Sequence, residues 1–220
     1  MRLDVDGFLS ASMLYCYLRS LNKSINIFPL FHNDKSHGLD DNIISQIEND
    51  SLLIIPDASG SEEQYKTLCD KNVSVTVLDH HDISNSNYAA IVNNQLSSNV
   101  QNKYLSGCGV THKFLQALDA KYNKRLSGKY ISYVAISIIS DSMNVTSLEN
   151  RAYLCYGLQK IHPNIKPFTD EWIKGDITPH ELSFHLINKF NALIRSDNQE
   201  GKVNLFNCLC GNGDYTHALS

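Results

Sequence analysis

Val75-Thr76-Val77-Leu78-Asp79-His80-His81 decides how this chain is read: a β-branched apolar strand runs straight into an acid and two adjacent histidines. Side chains alternate faces along a strand, but where the strand ends the backbone can turn and aim neighbouring imidazoles at one pocket. The arrangement recurs upstream, where Ser51-Leu52-Leu53-Ile54-Ile55-Pro56 leads into Asp57, and Asp4-Val5-Asp6-Gly7 opens an apolar helical stretch. Ligands of open parallel α/β sheets bind beyond the carboxyl ends of the strands, so these clusters at element ends suggest one site. An Asp-x-Asp pair alone is ordinary cap chemistry and Asp-x-Ser-Gly ordinary turn chemistry. A specified Asp-His-His arises by chance in a chain this long only at roughly the one-percent level, which makes it the decisive signal.

Working outward, Phe8, Ala11, Leu14, Tyr15, Leu18 and Leu21 recur at helical spacing, so 8–22 reads as an amphipathic helix. A strand is expected over 26–31, a loop over 32–39, a short helix over 40–48, strands over 51–56 and 73–78, and a helix over 61–71 between them. Residues 89–93 read as a last short strand. Gly107-Cys108-Gly109-Val110 leads into a helix reaching Tyr122, and the apolar run 130–142 is long enough to be a buried helix rather than a strand. Further helices are expected over 148–161 and 179–194, whereas beyond Ser196 polarity rises and periodicity fades. Strands alternating with helices imply βαβ units, hence a doubly wound α/β fold: a parallel sheet with helices on both faces, followed by a helical segment.

The 220 residues suffice for one substantial core. A net charge of −4 excludes a global basic field for nucleic acid, and any polyanion contact must be local. Lys121, Lys124, Arg125 and Lys129 form the one modest basic cluster. Six cysteines without a Cys-x-x-Cys pair point to reduced thiols in a cytoplasmic setting, and Cys208-x-Cys210 reads as two ordinary thiols. No apolar run reaches the ~20 residues of a membrane helix, so no membrane partner is expected.

Carboxylates with one or two imidazoles suit Mn²⁺ or Mg²⁺, which activate water and bridge phosphate oxygens. Two such ions need a shared carboxylate, and Asp57 and Asp141 are the natural bridges. Asp141 ends a helix, where an acid opposes the dipole; that cost points to another purpose. Of the other histidines, His32 and His37 flank a loop from which they could touch substrate.

With these residues in view, the chain resembles the DHH phosphoesterase family, and within it the RecJ-type single-strand exonucleases. Asp4-Val5-Asp6-Gly7 is similar to the first motif, Asp57 in Ile-Pro-Asp-Ala-Ser to the second, Asp79-His80-His81 to the third and Asp141 in Ile-Ser-Asp-Ser-Met to the fourth. Gly38-Leu39, Gly107 to Val110, Glu149-Asn150-Arg151, Gly157-Leu158 and Phe184 to Arg195 are further RecJ-like marks. The resemblance implies two Mn²⁺ or Mg²⁺ ions on Asp4, Asp6, Asp57, His80 and Asp141. It implies that His81 contacts the scissile phosphate, that Asp79 orients the histidines, and that Asn191 and Arg195 bind substrate, Arg195 through its planar fork. The implied activity is 5′-to-3′ hydrolysis of single-stranded DNA in repair and recombination. Alternatives are an oligoribonuclease or cyclic-dinucleotide phosphodiesterase of the same family, and a catalytically silent binding scaffold.

The chain departs from the family pattern in two respects. Family members carry a histidine four residues before the first motif's aspartate, on a strand that here would precede Met1, and a glycine-rich substrate-holding domain follows the first domain. The chain is therefore expected to be a catalytic DHH domain over 1–162, with 163–220 a helical extension or linker toward that second domain. A gap or frayed position beside the site and weak or undetectable exonuclease activity are expected with it.

Overall fold

Three runs of apolar and β-branched residues form the sheet of the computed structural model, which describes residues 3–32, 38–96 and 98–219. β1 (Leu52–Pro56), β2 (Ser74–Asp79) and β3 (Ala89–Asn93) pair in parallel in the order β1-β2-β3, with Leu52 opposite Ser74 and Val75 opposite Ala89. Alternation sorts their side chains onto two faces. Ile55, Val75 and Val77 pack with Ile43 and Ile44 of α2 (Asp41–Gln46) and Tyr65 and Leu68 of α3 (Glu62–Asp70). Ile54 and Leu78 join the larger cluster, with Phe8, Leu9 and Met13 of α1 (Val5–Leu21) and Val110 and Leu115 of α4 (Gly107–Tyr122). Helices on both faces and a parallel sheet agree with the sequence reading.

The helices begin where their caps place them. Asp4 accepts the Gly7 amide at the start of α1, and Ser106 accepts the Gly109 amide at the start of α4, each cap contributing about 1 kcal/mol. After a 3₁₀ turn (Ser127–Tyr130), α5 (Ile131–Ser140) is buried through Tyr133, Val134, Ala135, Ile136 and Ile138. Burial overrides the poor helix propensity of its Ile and Val residues. α6 (Leu148–Gln159) lies so close to α5 that a Cβ on Gly157 would sit 2.6 Å from the Ala135 methyl. α7 (Lys166–Trp172) follows, then α8 (Pro179–Glu181) runs through a π-helical stretch (Leu182–Ile187) into α9 (Asn188–Ile194). Leu182, Leu186, Phe190 and Ile194 join the same hydrophobic cluster as α1 and α5.

Two expectations fail. Residues 26–31 form no strand: Pro29 lacks an N–H, Phe28 is 74% exposed, and no described strand pairs with them. Conversely, order does not fade after Ser196. Asn198 caps α10 (Gln199–Leu209), which buries Leu205, Phe206, Cys208 and Leu209 and packs on α1, and α11 (Tyr215–Leu219) follows. No helix among the described residues is long and apolar enough to cross a membrane.

Candidate metal centre

The site lies where β1 and β2 end and where α1 and α4 begin. Asp57 follows β1 directly, and its amide donates to the Leu78 carbonyl at 2.8 Å, tying the two strand ends together. Its backbone turns into the left-handed region (φ 55°), an uncommon conformation for a residue with a side chain. The carboxyl group is thereby folded beneath the strand ends, fully buried.

Asp6, on the first turn of α1, is likewise fully buried and is held by α4's first turn. The Gly107 amide donates to Oδ2 and the Cys108 amide to Oδ1, both at 2.8 Å, and the Ser137 hydroxyl of α5 donates to Oδ1 at 2.5 Å. A carboxylate at a helix N-terminus is the favourable sense of the dipole. Gly107 has a second duty: a Cβ there would lie 2.2 Å from Asp57 Oδ1. Only a glycine lets Asp57 and the start of α4 approach so closely.

His80 joins the acids. Its Nε2 is 3.3 Å from Asp57 Oδ1, 3.4 Å from Asp141 Oδ2 and 3.7 Å from Asp6 Oδ2. Burial alone would push its pKa down, but Asp141 and Asp57, with Asp6 behind them, outweigh this and raise it to about 10. Burial raises the Asp57 and Asp6 carboxyls, and the neighbouring acids raise them further: Asp6 acts on Asp57, and Asp141 on Asp6. A field that so favours a proton on His80 also favours a divalent cation among these oxygens. Asp141 closes the cluster from the carboxyl end of α5, the dipole-disfavoured position. Asp4 caps α1 through the Gly7 amide, and its charge adds to the upward shift at Asp57.

Asp79, 1% exposed, ends β2 beside the cluster. Its Oδ1 accepts from the His80 amide at 2.8 Å and from His81 Nδ1 at 2.7 Å. Burial raises its pKa, yet the hydrogen bonds and charge from His81 and the two amides win, and the net shift is downward. The ionised Asp79 thus fixes the ring of His81, whose side chain is 39% exposed. The two histidine rings lie against each other, centroids 4.2 Å apart.

The structure brings Asp6, Asp57, Asp79, His80, His81 and Asp141 together, and the ligand atoms fall into two overlapping groups. One holds Asp57, Asp79, His80 and His81, the other Asp6, His80 and Asp141. An oxygen-rich set with a single shared imidazole and no thiol fits Mn²⁺ or Mg²⁺ better than a tetrahedral sulfur-seeking ion. Asn191 and Arg195 lie on and just after α9, and among the described residues no hydrogen bond or ion pair joins either to this cluster. The Lys121–Lys129 basic residues sit at the far end of α4, whose 16 residues span roughly 24 Å. His32 is buried against Asp40, Nδ1 to Oδ2 2.9 Å, rather than presented to a substrate, and His37 lies outside the described residues.

Sequence reasoning missed the supports Asn93, Gln95, Ser106 and Ser137, and marked Asn150 only as part of a motif without its role. Asn93, ending β3, donates to the His81 carbonyl at 2.8 Å, and Gln95 to the His80 carbonyl at 3.4 Å. Ser137 links Asp6 to the α4 cap, Ser106, at 2.6 Å. Buried Asn150 donates to the carbonyls of Tyr104 (2.6 Å) and Asn144 (2.9 Å) and accepts from Asn102 (3.0 Å), pinning the loops on either side of the site. A polar residue within an otherwise apolar helix face, as Ser137 is, was the signal available.

A buried aspartate and histidine cluster at the strand ends of a parallel sheet defines the class, a metal-binding α/β protein. Residues 1–138 match the DHH family, N-terminal domain, and the chain belongs to that family. It is 36% identical over 206 residues to the "Putative SPbeta prophage-derived single-strand DNA-specific exonuclease YorK" of Bacillus subtilis (strain 168), covering 90% of this chain and 35% of that protein. The corresponding protein of Bacillus phage SPbeta gives the same figures. The chain therefore spans about a third of the length of these relatives. Among solved structures it resembles exonuclease RecJ bound to manganese, with a TM-score of 0.83 at 21% identity over 98% of this chain and 56% of the other. RecJ of Thermus thermophilus in complex with Mn²⁺ gives 0.70 at 18% identity, over 99% of this chain and 33% of that one. At these identities the likeness is one of fold.

Proposed function

We propose that this chain is a metal-dependent phosphodiesterase unit that removes nucleotides from single-stranded DNA in the 5′-to-3′ direction. The observation that carries the reading is His80 Nε2 standing within 3.7 Å of three separate carboxylates, with the half-exposed, Asp79-oriented His81 beside it. Asp4, Asp6, Asp57, His80 and Asp141 would hold Mn²⁺ or Mg²⁺, two ions in this reading. Bound there, the ions lower the pKa of water and neutralise phosphate oxygens.

The chain's own residues supply the rest. The Gly107 and Cys108 amides hold the Asp6 carboxyl in a fixed orientation, so that its oxygens need no reorganisation when the site is loaded. Asp79 accepts from Nδ1 of His81, leaving Nε2 to meet the scissile phosphate, where it can interact with an oxygen on which charge develops. Arg195, exposed after α9, would clamp a backbone phosphate in bidentate fashion, with Asn191 positioning the strand. Residues 1–162 form the catalytic unit in this reading and 163–220 its helical extension, working in the cytoplasm on strands exposed during repair and recombination. Names of relatives that act on single-stranded DNA support the substrate.

End-labelled single-stranded DNA, duplex DNA, short RNA and a cyclic dinucleotide, each incubated with excess enzyme and Mn²⁺, test the assignment. Slow release of mononucleotides from the 5′ end of single-stranded DNA, visible only at this enzyme excess and lost in Asp57→Ala, is expected. Faster cleavage of short RNA or the cyclic dinucleotide would move the substrate within the family, and Mn²⁺ binding without turnover on any of the four would make the domain a scaffold.

A further inference from the structure

Cys16 and Cys210 are 194 residues apart in sequence yet meet where α10 packs on α1. Cys210 ends α10 with its Sγ 4.0 Å from the Ser12 carbonyl, the group one helical turn before Cys16. A helical side chain leans toward the turn preceding it, so the Cys16 thiol extends over the same turn. There the two thiols are close enough for each to shift the other's acidity, while the Cys210 S–H points at the Ser12 carbonyl. Both are half-buried, within reach of small solutes. Cys208, by contrast, is fully buried, and Cys69 and Cys155 are exposed on α3 and α6.

We propose that Cys16 and Cys210 form an oxidisable pair, which a hydroperoxide converts into a reversible disulfide stapling α10 to the helix that carries Asp6. The Cys16 sulfur attacks the peroxide oxygen and the O–O bond breaks, giving a sulfenic acid and releasing water or alcohol. The Cys210 sulfur then displaces the sulfenic hydroxyl, its thiol proton leaves with that group as water, and the S–S bond forms. Two thiols lose two electrons and the hydroperoxide gains them. The proximity prepares each partner for its part: Cys210 lowers the Cys16 pKa, favouring the thiolate that attacks, and Cys16 raises that of Cys210, which keeps its proton until the second step. Asp6 lies ten residues, roughly 15 Å, away along α1, so the staple leaves the metal cluster alone.

The test uses the chain with Cys69→Ser and Cys155→Ser, treated with hydrogen peroxide, alkylated and mapped by mass spectrometry. A Cys16–Cys210 crosslinked peptide two hydrogens lighter than its parts is expected. It should be reversed by dithiothreitol, and Tm should rise by on the order of 10 °C under non-reducing conditions. In Cys210→Ser the rise should vanish and Cys16 should be trapped as a sulfenic acid reactive toward dimedone. Full alkylation of both cysteines after peroxide, or oxidation of Cys16 to sulfinic acid with no crosslink in the protein that keeps both, would overturn the proposal without reliance on any variant at the pair.

Discussion

Gly107→Ala tests whether the cluster depends on the close approach of α4 to Asp57. The added Cβ would lie 2.2 Å from Asp57 Oδ1 and 2.5 Å from its Cβ and Cγ. Ordinary contact begins near 3.4 Å, so the carboxyl must retreat by about 1.2 Å, or α4 must shift and take the Asp6 hydrogen bonds with it. Ligand geometry at a metal tolerates about 0.2 Å, so either movement costs one carboxylate ligand. Losing well-placed support lowers metal affinity by ~10–100-fold, and losing a ligand costs at least that much. Overpacking strain of about 1–3 kcal/mol is partly offset by alanine's better helix propensity, so the fold should survive. Calorimetric titration of Mn²⁺ at constant pH is the assay, with Gly109→Ala as the control. There a Cβ meets the flexible Leu105 side chain at 3.1 Å, and binding should be near that of the unaltered chain. Equal Mn²⁺ affinity in Gly107→Ala and the parent would refute the reasoning.

The two histidines should separate: His80→Ala should lower Mn²⁺ affinity, whereas His81→Ala should leave binding intact and slow phosphodiester cleavage on the order of 10²-fold or more. Equal metal loss in both would contradict the roles. Asn150→Ala should destabilise the fold by about 2–3 kcal/mol in urea unfolding, because it strands the carbonyls of Tyr104 and Asn144; a loss under about 0.5 kcal/mol would show those groups rehydrate freely. His112 is buried between the Tyr153 hydroxyl (3.0 Å) and the Ser127 carbonyl (3.2 Å), which suit a neutral ring, and burial pushes its pKa down to about 4. Since the folded value lies below the unfolded ~6.5, its contribution is complete above about pH 6.5. As pH falls toward about 4, roughly 3 kcal/mol should be lost, a slope that His112→Gln should flatten.

Which parts of this molecule were legible in the sequence follows from where their determinants lie. Asp57, Asp79, His80 and His81 were readable because each ends or follows a strand whose alternation and β-branching are local, and a parallel sheet collects its strand ends on one side by geometry alone. Residues 26–31 have the same local character but form no strand, because a ladder is a property of two segments. Nothing within Asn26-Ile27-Phe28-Pro29-Leu30-Phe31 states whether a neighbour exists. The converse error at α10 has the same root. Asn, Lys and Gly dilute its helical pattern, and the apolar residues near its end acquire meaning only against α1, where Phe206 meets Tyr15 edge-on at 5.7 Å. Asp6 shows the limit most clearly. Its place in an Asp-x-Asp pair marks it as a ligand candidate, yet its electrostatics are set by amides 101 and 102 residues away and by a hydroxyl 131 residues away. The chemistry of the site was written in the residue types, but its preorganisation was written in the packing of α4 and α5 onto α1, which no window of sequence contains.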